Sequence, residues 1–353
     1  MSHNDNTRRG RGAGDNPANR FHVRRTDPFD DGWHADERAP LRTRVGIDSA
    51  RTAISYNDSP DIPFDRSVNP YRGCEHGCIY CYARPTHAWL DLSPGLDFES
   101  VLFARPDLPA LLERELGAPS YRPAPLAISG VTDAYQPIER EHRITRRVLE
   151  ILHATHHPTL LITKSALIER DLDLLAEMAA LQLVEVAVSL TTLDRRLART
   201  LEPRAAAPQR RLQVIESLAT AGVPVKVMLA PLIPVLNETE IESLLESARD
   251  AGAGSAGYIL LRLPLEVAPL FRDWLQNHVP GQASRVMSHV SDTRGGKDNE
   301  SRFGLRQRGR GHYADLIEQR FRLASRRLGL DGKVTLRCDL FQAPAASGQL
   351  RLF

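Results

Sequence analysis

An alternation of short apolar runs with amphipathic stretches restricts the fold more than any other feature of the chain. The apolar runs are APLAISG (124–130), TLLITKS (159–165), VEVAVSLTT (184–192), VPVKVMLAPLIP (223–234) and AGYILLRLP (256–264). Helical periodicity fills the intervals at 140–156, 168–181, 208–221 and 237–251. Continuous apolar strands that alternate with helices are typical of a buried parallel sheet. With a further strand before residue 74, about six βα units predict a full or partial (β/α)6 barrel.

The remaining sequence divides by composition. We assign a disordered basic extension (1–45), the barrel with its lead-in (46–291), a small C-terminal extension (292–342) and a flexible tail (343–353). The first segment is rich in Arg, Asp, Gly and Asn and poor in aliphatic residues, which predicts disorder. Within the C-terminal extension we expect a polar loop over 292–311, a helix over 312–328 and a short strand, KVTLRC, over 333–338.

Charge is unevenly distributed, although the net charge is only +2. Residues 1–25 carry six Arg against two Asp, and residues 294–328 carry ten Lys/Arg against four acids. These segments are either solvated surface or a contact surface for a phosphate backbone. The chain has no apolar run of about 18 residues, so no membrane contact is expected. With four cysteines and no signal-like start, a reducing cytoplasm is the expected compartment.

Three of the four cysteines lie within the stretch NPYRGCEHGCIYCYARPTH, at Cys74, Cys78 and Cys81. Thiolates this close together, in a loop after a strand, converge on one metal centre. Zinc normally takes four tight ligands, and His76 or His87 could supply the fourth. A [4Fe–4S] cluster is the better account, because three thiolates leave one iron open to a small molecule.

A C-x3-C-x2-C spacing with Tyr80 before the last cysteine resembles the hallmark of the radical S-adenosylmethionine (SAM) superfamily. The resemblance implies a [4Fe–4S] cluster whose open iron is chelated by SAM. It also implies an external electron donor and hydrogen abstraction from the substrate by a 5′-deoxyadenosyl radical, while the barrel shields the reaction.

The same resemblance suggests roles for residues at the strand ends. Tyr80 is expected near the adenine, and Thr132 and Asp133, in SGVTDAYQPIE (129–139), near the SAM amino group. The expected partners of the SAM carboxylate and ribose are Lys164, Ser189 and Arg204, in ITKS, SLTT and LEPR. An acid such as Asp133 could instead cap the next helix. Glu139 is expected to position its segment.

Over about residues 60–265 the sequence is similar to the spore photoproduct lyase-related group, in a branch without an assigned function. NPYRGCEHGCIYCYARPTH, TDAYQPIE and LITKS carry this similarity. The lyase needs a further cysteine near the end of the second strand, where this chain reads ISGVTDAY, so lyase activity is not expected to carry over. The remaining cysteine, Cys338, is either a radical-quenching thiol or a small buried apolar residue.

These features leave three functional classes. The first is a radical SAM enzyme that acts on nucleic acid, in repair or modification. The second is a radical SAM enzyme for a peptide or a small molecule, and the third is a non-catalytic iron–sulfur or zinc protein. The terminal residues Gln349–Phe353, QLRLF, resemble the peptide with which bacterial repair proteins bind the DNA sliding clamp. Alternatively, the tail folds back onto the barrel.

Overall fold

The structure is a computed structural model that describes residues 8, 10–21 and 41–344. Its strands are β1 (Arg44–Ile47), β2 (Ile54–Tyr56), β3 (Arg66–Val68), β4 (Tyr71–Arg72), β5 (Val101–Ala104), β6 (Leu126–Ile128), β7 (Thr159–Thr163), β8 (Val184–Ser189), β9 (Val225–Leu232) and β10 (Ser255–Leu260). Its α-helices are α1 (Leu96–Ser100), α2 (Leu108–Leu116), α3 (Glu139–His142), α4 (Ile144–Ala154), α5 (Leu172–Ala180), α6 (Arg195–Leu201), α7 (Pro208–Thr220), α8 (Ile241–Asp250), α9 (Val267–His278), α10 (Ala283–Thr293) and α11 (His312–Arg327). Short 3-10 helices lie at Arg84–Leu90, Ala166–Asp171 and Glu238–Glu240.

The main sheet has the order β2-β3-β6-β7-β8-β9-β10. Neighbouring strands from β3 to β10 pair in parallel, and β2 pairs antiparallel with β3. The last five parallel strands lie on the five predicted apolar runs, which confirms the α/β prediction. Among the described residues, no pairing joins β10 back to β2 or β3, so the strand order is open.

The helices cover this sheet because each presents an apolar face to it. In α4 the buried apolar residues are Ile144, Val148, Leu149 and Leu152, a spacing that places them on one side of the helix. Helices α4, α5, α7 and α8 lie within the four predicted helical stretches. Parallel strands with helices after them bring all the carboxyl ends to one edge, where ligands of such folds bind.

A second, smaller sheet starts the cysteine loop. Here β5 pairs in parallel with β1 and antiparallel with β4. The loop then begins at Gly73, whose φ is 73°. A Cβ atom at Gly73 would lie 2.9 Å from the Phe98 carbonyl oxygen and 2.7 Å from a Leu102 methyl carbon. Both the backbone conformation and the close approach therefore require glycine at this position.

Residues 10–21 differ from the predicted disorder, since they pack on the cysteine loop. Ala13 is 1% exposed. Arg11 donates to the Glu99 carbonyl at 2.6 Å, and the N–H groups of Gly12 and Ala13 donate to the Glu99 carboxylate at 2.9 and 2.8 Å. The prediction considered only the lack of aliphatic residues, whereas here one buried carboxylate satisfies two backbone amides. The prediction is corrected for these residues.

The C-terminal extension agrees with the prediction in its helix but not in its strand. Helix α11 lies where a helix over 312–328 is expected. Residues 333–338 form no strand, so that prediction is wrong; the Arg337 N–H makes a single bond to the Gln182 carbonyl at 3.0 Å instead of joining a ladder. The predicted clamp-binding residues, Gln349–Phe353, lie outside the described part of the chain. Among the helices described, none combines the length and the apolar character that crossing a membrane requires.

Candidate active site

The three clustered cysteines lie in a loop that crosses the carboxyl edge of the main sheet. The Arg204 N–H, beyond β8, donates to the carbonyl of His76 in this loop at 3.2 Å. The Tyr82 hydroxyl donates to the Gly130 carbonyl, just beyond β6. The loop therefore spans the edge at which α/β folds hold their ligands.

All three thiols are free, with Cys74 and Cys78 buried and Cys81 half-buried. Burial raises the pKa of each thiol, that of Cys78 to about 12. A thiolate in this loop therefore needs a compensating cation, which a metal supplies. Within the described residues, no three His, Cys, Asp or Glu side chains surround the position of a single metal ion. In a [4Fe–4S] cluster each thiolate binds a different iron, so these thiols fit a cluster.

The two histidines considered as a fourth zinc ligand have other partners. His87 is fully buried, and its Nε2 lies 2.9 Å from the Val101 carbonyl. His76 directs Nδ1 towards Asp133 at 3.4 Å. Both side chains therefore support the structure around the loop.

A fully buried ion pair holds the loop from behind. Arg84 donates to the carbonyls of Cys78 at 2.9 Å and Gly77 at 3.1 Å. Its Nη2 also lies 2.5 Å from the Glu99 carboxylate, and both side chains are 0% exposed. The two bonds to the Gly77 and Cys78 carbonyls fix the path of the backbone between Cys74 and Cys78, and the Glu99 carboxylate holds the guanidinium in place.

Glu202 is the centre of a second buried group on the other side of the loop. Its carboxylate accepts hydrogen bonds from Tyr80, from Arg211 and, at 2.7 Å, from Thr191. Burial opposes ionisation of Glu202, but Arg211 and then Lys164 lower its pKa to about 2. The Lys164 ammonium lies 3.8 Å from Glu202 and 6.0 Å from the Tyr80 ring centroid. Tyr80 and Lys164, predicted separately as cofactor contacts, are therefore neighbours.

The structure gives Asp133 a role in holding strand ends together. One carboxylate oxygen accepts from the Tyr135 N–H at 2.9 Å and from the Thr163 hydroxyl at 2.8 Å. The other oxygen accepts from the Lys164 N–H at 2.8 Å and faces His76. A carboxylate offers about four acceptor positions, and all are taken here. This arrangement favours the local structural alternative for Asp133 over contact with the SAM amino group.

Thr132 and Glu139 both interact with Tyr71. The buried Thr132 hydroxyl donates to the Tyr71 carbonyl at 3.3 Å. The Glu139 carboxylate accepts from the Tyr71 hydroxyl, from the Thr145 N–H at 3.0 Å and from Arg170 at 2.7 Å. Glu139 thus links its segment to the strand before the cysteine loop, as its expected positioning role requires.

Ser189 and Arg204 lie on two sides of the same region. Ser189 is buried at the end of β8, and its carbonyl accepts from Arg211 at 3.0 Å. The Arg204 side chain is 38% exposed and pairs with Glu75 inside the cysteine loop. Arg204 is therefore near the cluster ligands and accessible from outside.

Cys338 lies at the opposite end of the sheet from the cysteine loop. Its neighbour Arg337 binds the Gln182 carbonyl, and Gln342 binds the Thr155 carbonyl, positions that precede β8 and β7. These strands rise about 3.3 Å per residue, so a strand the length of β8 separates the two ends by roughly 20 Å. This placement favours the structural alternative for Cys338 over the radical-quenching thiol.

Four residues of the site escaped the sequence analysis: Arg84, Glu99, Glu202 and Arg211. Two stood in motifs that were already considered, since Arg84 follows the third cysteine in YARP and Glu202 begins the EPR of LEPR. Their partners lie in other segments, and no local spacing signals such pairs.

The sequence model of the family described as "Radical SAM superfamily" matches residues 68–248, which include the cysteine loop. An uncharacterized protein of Mycobacterium tuberculosis is 38% identical over 253 residues, which cover 70% of this chain and 74% of that protein. An uncharacterized protein of Methanocaldococcus jannaschii is 28% identical over 173 residues, or 49% of this chain and 62% of that protein.

Solved structures of spore photoproduct lyase are similar in fold. A single-site mutant of that enzyme has a TM-score of 0.58 and 17% identity over 80% of this chain and 78% of its own. Spore photoproduct lyase complexed with dinucleoside spore photoproduct has a TM-score of 0.57 and 16% identity over 80% and 79%. The family match over about half of the chain and the mycobacterial relative show that this protein belongs to the radical SAM superfamily, whose members use a [4Fe–4S] cluster and SAM.

Proposed function

We propose that this radical SAM enzyme acts on nucleic acid, in the repair or modification of a base. Cys74, Cys78 and Cys81 would hold the cluster, which when bound would supply one electron for the cleavage of SAM to methionine and a hydrogen-abstracting 5′-deoxyadenosyl radical. The electron comes from an external donor, as in other members of the family.

One observation carries the substrate proposal: the basic C-terminal extension is anchored at the same edge of the sheet as the cysteine loop. Residues 294–328 hold ten Lys/Arg against four acids. Arg294 of this segment donates to the carbonyls of Leu260 and Leu261, at the carboxyl end of β10. Arg294 itself is buried, and Arg320 and Arg327 pair with glutamates of α8, but the loop between Arg294 and α11 also carries Arg302, Arg306, Arg308 and Arg310. Positive side chains of that loop, beside the site of radical formation, suit a phosphate backbone. The fold is also that of an enzyme solved with a dinucleoside spore photoproduct, an analogy that supports the same class.

For the cofactor, the proposed contacts are those that the geometry leaves available. In the described chain, the Lys164 ammonium comes no closer than 3.8 Å to the oxygen of an ion-pair partner, that of Glu202. Its ammonium can therefore bind the SAM carboxylate. Arg204 is a second candidate for that carboxylate, and Ser189 a candidate for the ribose. Tyr80, whose hydroxyl is held by Glu202, offers its ring as a surface for the adenine.

The test uses the anaerobic, cluster-loaded enzyme with SAM and dithionite. We expect release of 5′-deoxyadenosine to rise in the presence of DNA or RNA, and binding of the nucleic acid to weaken steeply with salt. Mass spectrometry of nucleosides from cells that lack the protein would then identify the altered base. Stimulation by peptides or small molecules, with none by nucleic acid, would contradict the proposal.

We also propose the DNA sliding clamp as a partner of the terminal residues Gln349–Phe353. The support is the QLRLF sequence, in which two Leu and a Phe can fill an apolar groove while Gln bonds at its rim. Each buried Leu or Phe contributes about 1.5–3 kcal/mol, so micromolar affinity remains after ordering costs. Titration of a peptide of residues 343–353 against purified clamp should show binding, and the variant Leu352→Ala/Phe353→Ala should show none. A wild-type peptide that does not bind at high micromolar clamp would refute this partner.

A further inference from the structure

An arginine without an oxygen partner stands beside the cysteine loop. Arg262 follows β10, is half-buried and lies with its guanidinium 4.8 Å from the centroid of the Tyr82 ring. Tyr82 is the residue after Cys81, and the Cys81 thiol is itself within electrostatic reach of Arg262. In the described chain, Arg262 makes no hydrogen bond or ion pair. A guanidinium drawn partly out of water without a partner is costly, which suits a site that binds an anion.

A second arginine, Arg306, lies nearby. Its guanidinium is close enough to that of Arg262 for its charge to act on Arg262. Its Nε donates to Asp61 at 2.7 Å, and its guanidinium lies 4.7 Å from the centroid of the Phe303 ring. Among the described residues, Asp61 is the carboxylate that pairs with Arg306 and also acts on Arg262, so the two arginines keep a net positive charge.

The segment that carries Arg306 is held firmly against the sheet. Arg294 is fully buried, and its guanidinium donates to the carbonyls of Leu260 at 2.6 Å, Leu305 at 3.0 Å and Arg306 at 2.9 Å. From the other side, Asp61 accepts from the Gly304 N–H at 2.6 Å. Because one guanidinium joins the strand end to residues 305 and 306, the main-chain positions of the two arginines are fixed before any ligand binds.

We propose that Arg262 and Arg306 bind a backbone phosphate of a single nucleic-acid strand. Guanidinium groups match phosphate oxygens in geometry and charge. The flanking rings of Tyr82 and Phe303 are 47% and 49% exposed and can receive neighbouring bases, the combination by which single strands are bound. A phosphate here places the adjoining nucleotide next to the cysteine loop. This inference rests on the proposed nucleic-acid function and specifies where the strand lies.

The test compares Arg262→Gln with wild type, both cluster-loaded, by fluorescence anisotropy of a labelled single-stranded oligonucleotide. We expect roughly tenfold weaker binding, as for the loss of a charged hydrogen bond, and a salt-dependence slope smaller by about one. Arg262→Lys, which keeps the charge, should keep the slope. The matched control is Arg249→Gln, on the outer surface of α8, where the arginine pairs with Asp250 and should not affect binding. Cluster absorbance and the urea midpoint of unfolding verify that each variant is folded.

Two results would overturn the inference, and only the second would also refute the nucleic-acid function. If wild type binds the oligonucleotide and Arg262→Gln binds with the same affinity and slope, the phosphate site is wrong while the nucleic-acid function stands. If wild type binds no oligonucleotide, and instead binds an acidic peptide through Arg262, the nucleic-acid function is wrong as well.

Discussion

Replacing Glu99 with Gln tests how the cysteine loop is held. The substitution removes the negative charge that faces Arg84 at 2.5 Å, where neither side chain is exposed, and leaves one acceptor oxygen in place of the two that bind the Gly12 and Ala13 N–H groups. Arg84 would keep its contacts to the Gly77 and Cys78 carbonyls, but its charge would lose its carboxylate partner in the interior. Removing one partner of a buried ion pair typically costs about 3–5 kcal/mol. We expect a loss of that size in the free energy of unfolding.

The assay is urea unfolding of the cluster-free protein under reducing, anaerobic conditions. The matched control is Glu242→Gln, because Glu242 pairs with Arg320 at 2.7 Å on a partly exposed surface. Such surface pairs contribute up to about 1 kcal/mol. A second measurement follows the loss of cluster absorbance with time after loading, since a loosened loop should release the cluster faster.

Two outcomes would refute this reasoning. If Glu99→Gln and Glu242→Gln lose the same unfolding free energy, the buried pair contributes no more than a surface pair. If Glu99→Gln is destabilised but keeps its cluster as long as wild type does, the pair supports the fold without holding the loop.

Three further predictions concern the cofactors and pH. Replacing any of the three cluster cysteines with Ala should abolish the broad absorbance near ~400 nm, whereas Cys338→Ala should retain it; stoichiometric zinc in the loaded wild type would contradict this. Lys164→Ala should weaken SAM binding roughly tenfold in calorimetry with the cluster retained, and the exposed Lys333→Ala should not. Burial lowers the pKa of His157 from 6.5 to about 4, so the fold favours its neutral form. The contribution of His157 to stability is therefore complete above pH 6.5 and is lost as pH falls towards 4. Between these two pH values, urea unfolding should show that wild type loses about 3 kcal/mol more unfolding free energy than His157→Gln does.

Periodicity predicted the barrel strands and helices because their burial follows a regular spacing along the chain. Helix α7, for example, spans Pro208–Thr220, within the predicted stretch 208–221. The stretch KVTLRC has the alternation of a strand, but within residues 8, 10–21 and 41–344 no strand pairs with it, so residues 333–338 remain irregular. Alternation in sequence describes one strand, whereas a sheet also needs a partner at the right distance.

The site was predictable only where one short stretch carries the chemistry. The three cysteines lie within eight residues and identify the cluster loop directly. By contrast, the contact of Tyr80 with Glu202 spans 122 positions and that of Arg294 with Leu260 spans 34. Such pairs exist only because the strands return to one edge, so the residues that support the loop became visible only in the folded chain.

The hydrogen bonds by which Arg294 attaches the C-terminal extension to the end of β10 have a consequence for how the substrate of this enzyme can change. Residues 68–248, which match the family, contain the cysteine loop and Lys164, whereas β10 and the segment held by Arg294 lie after them. The wall at which we propose that the substrate binds is therefore encoded largely downstream of the residues that handle SAM. Arg294 donates hydrogen bonds to main-chain carbonyls and not to side chains. Side chains along that wall can therefore be exchanged while the wall stays attached to the sheet. A chimera that keeps this arginine and carries another enzyme's loop over 297–304 would alter which substrate is accepted while keeping the same radical chemistry.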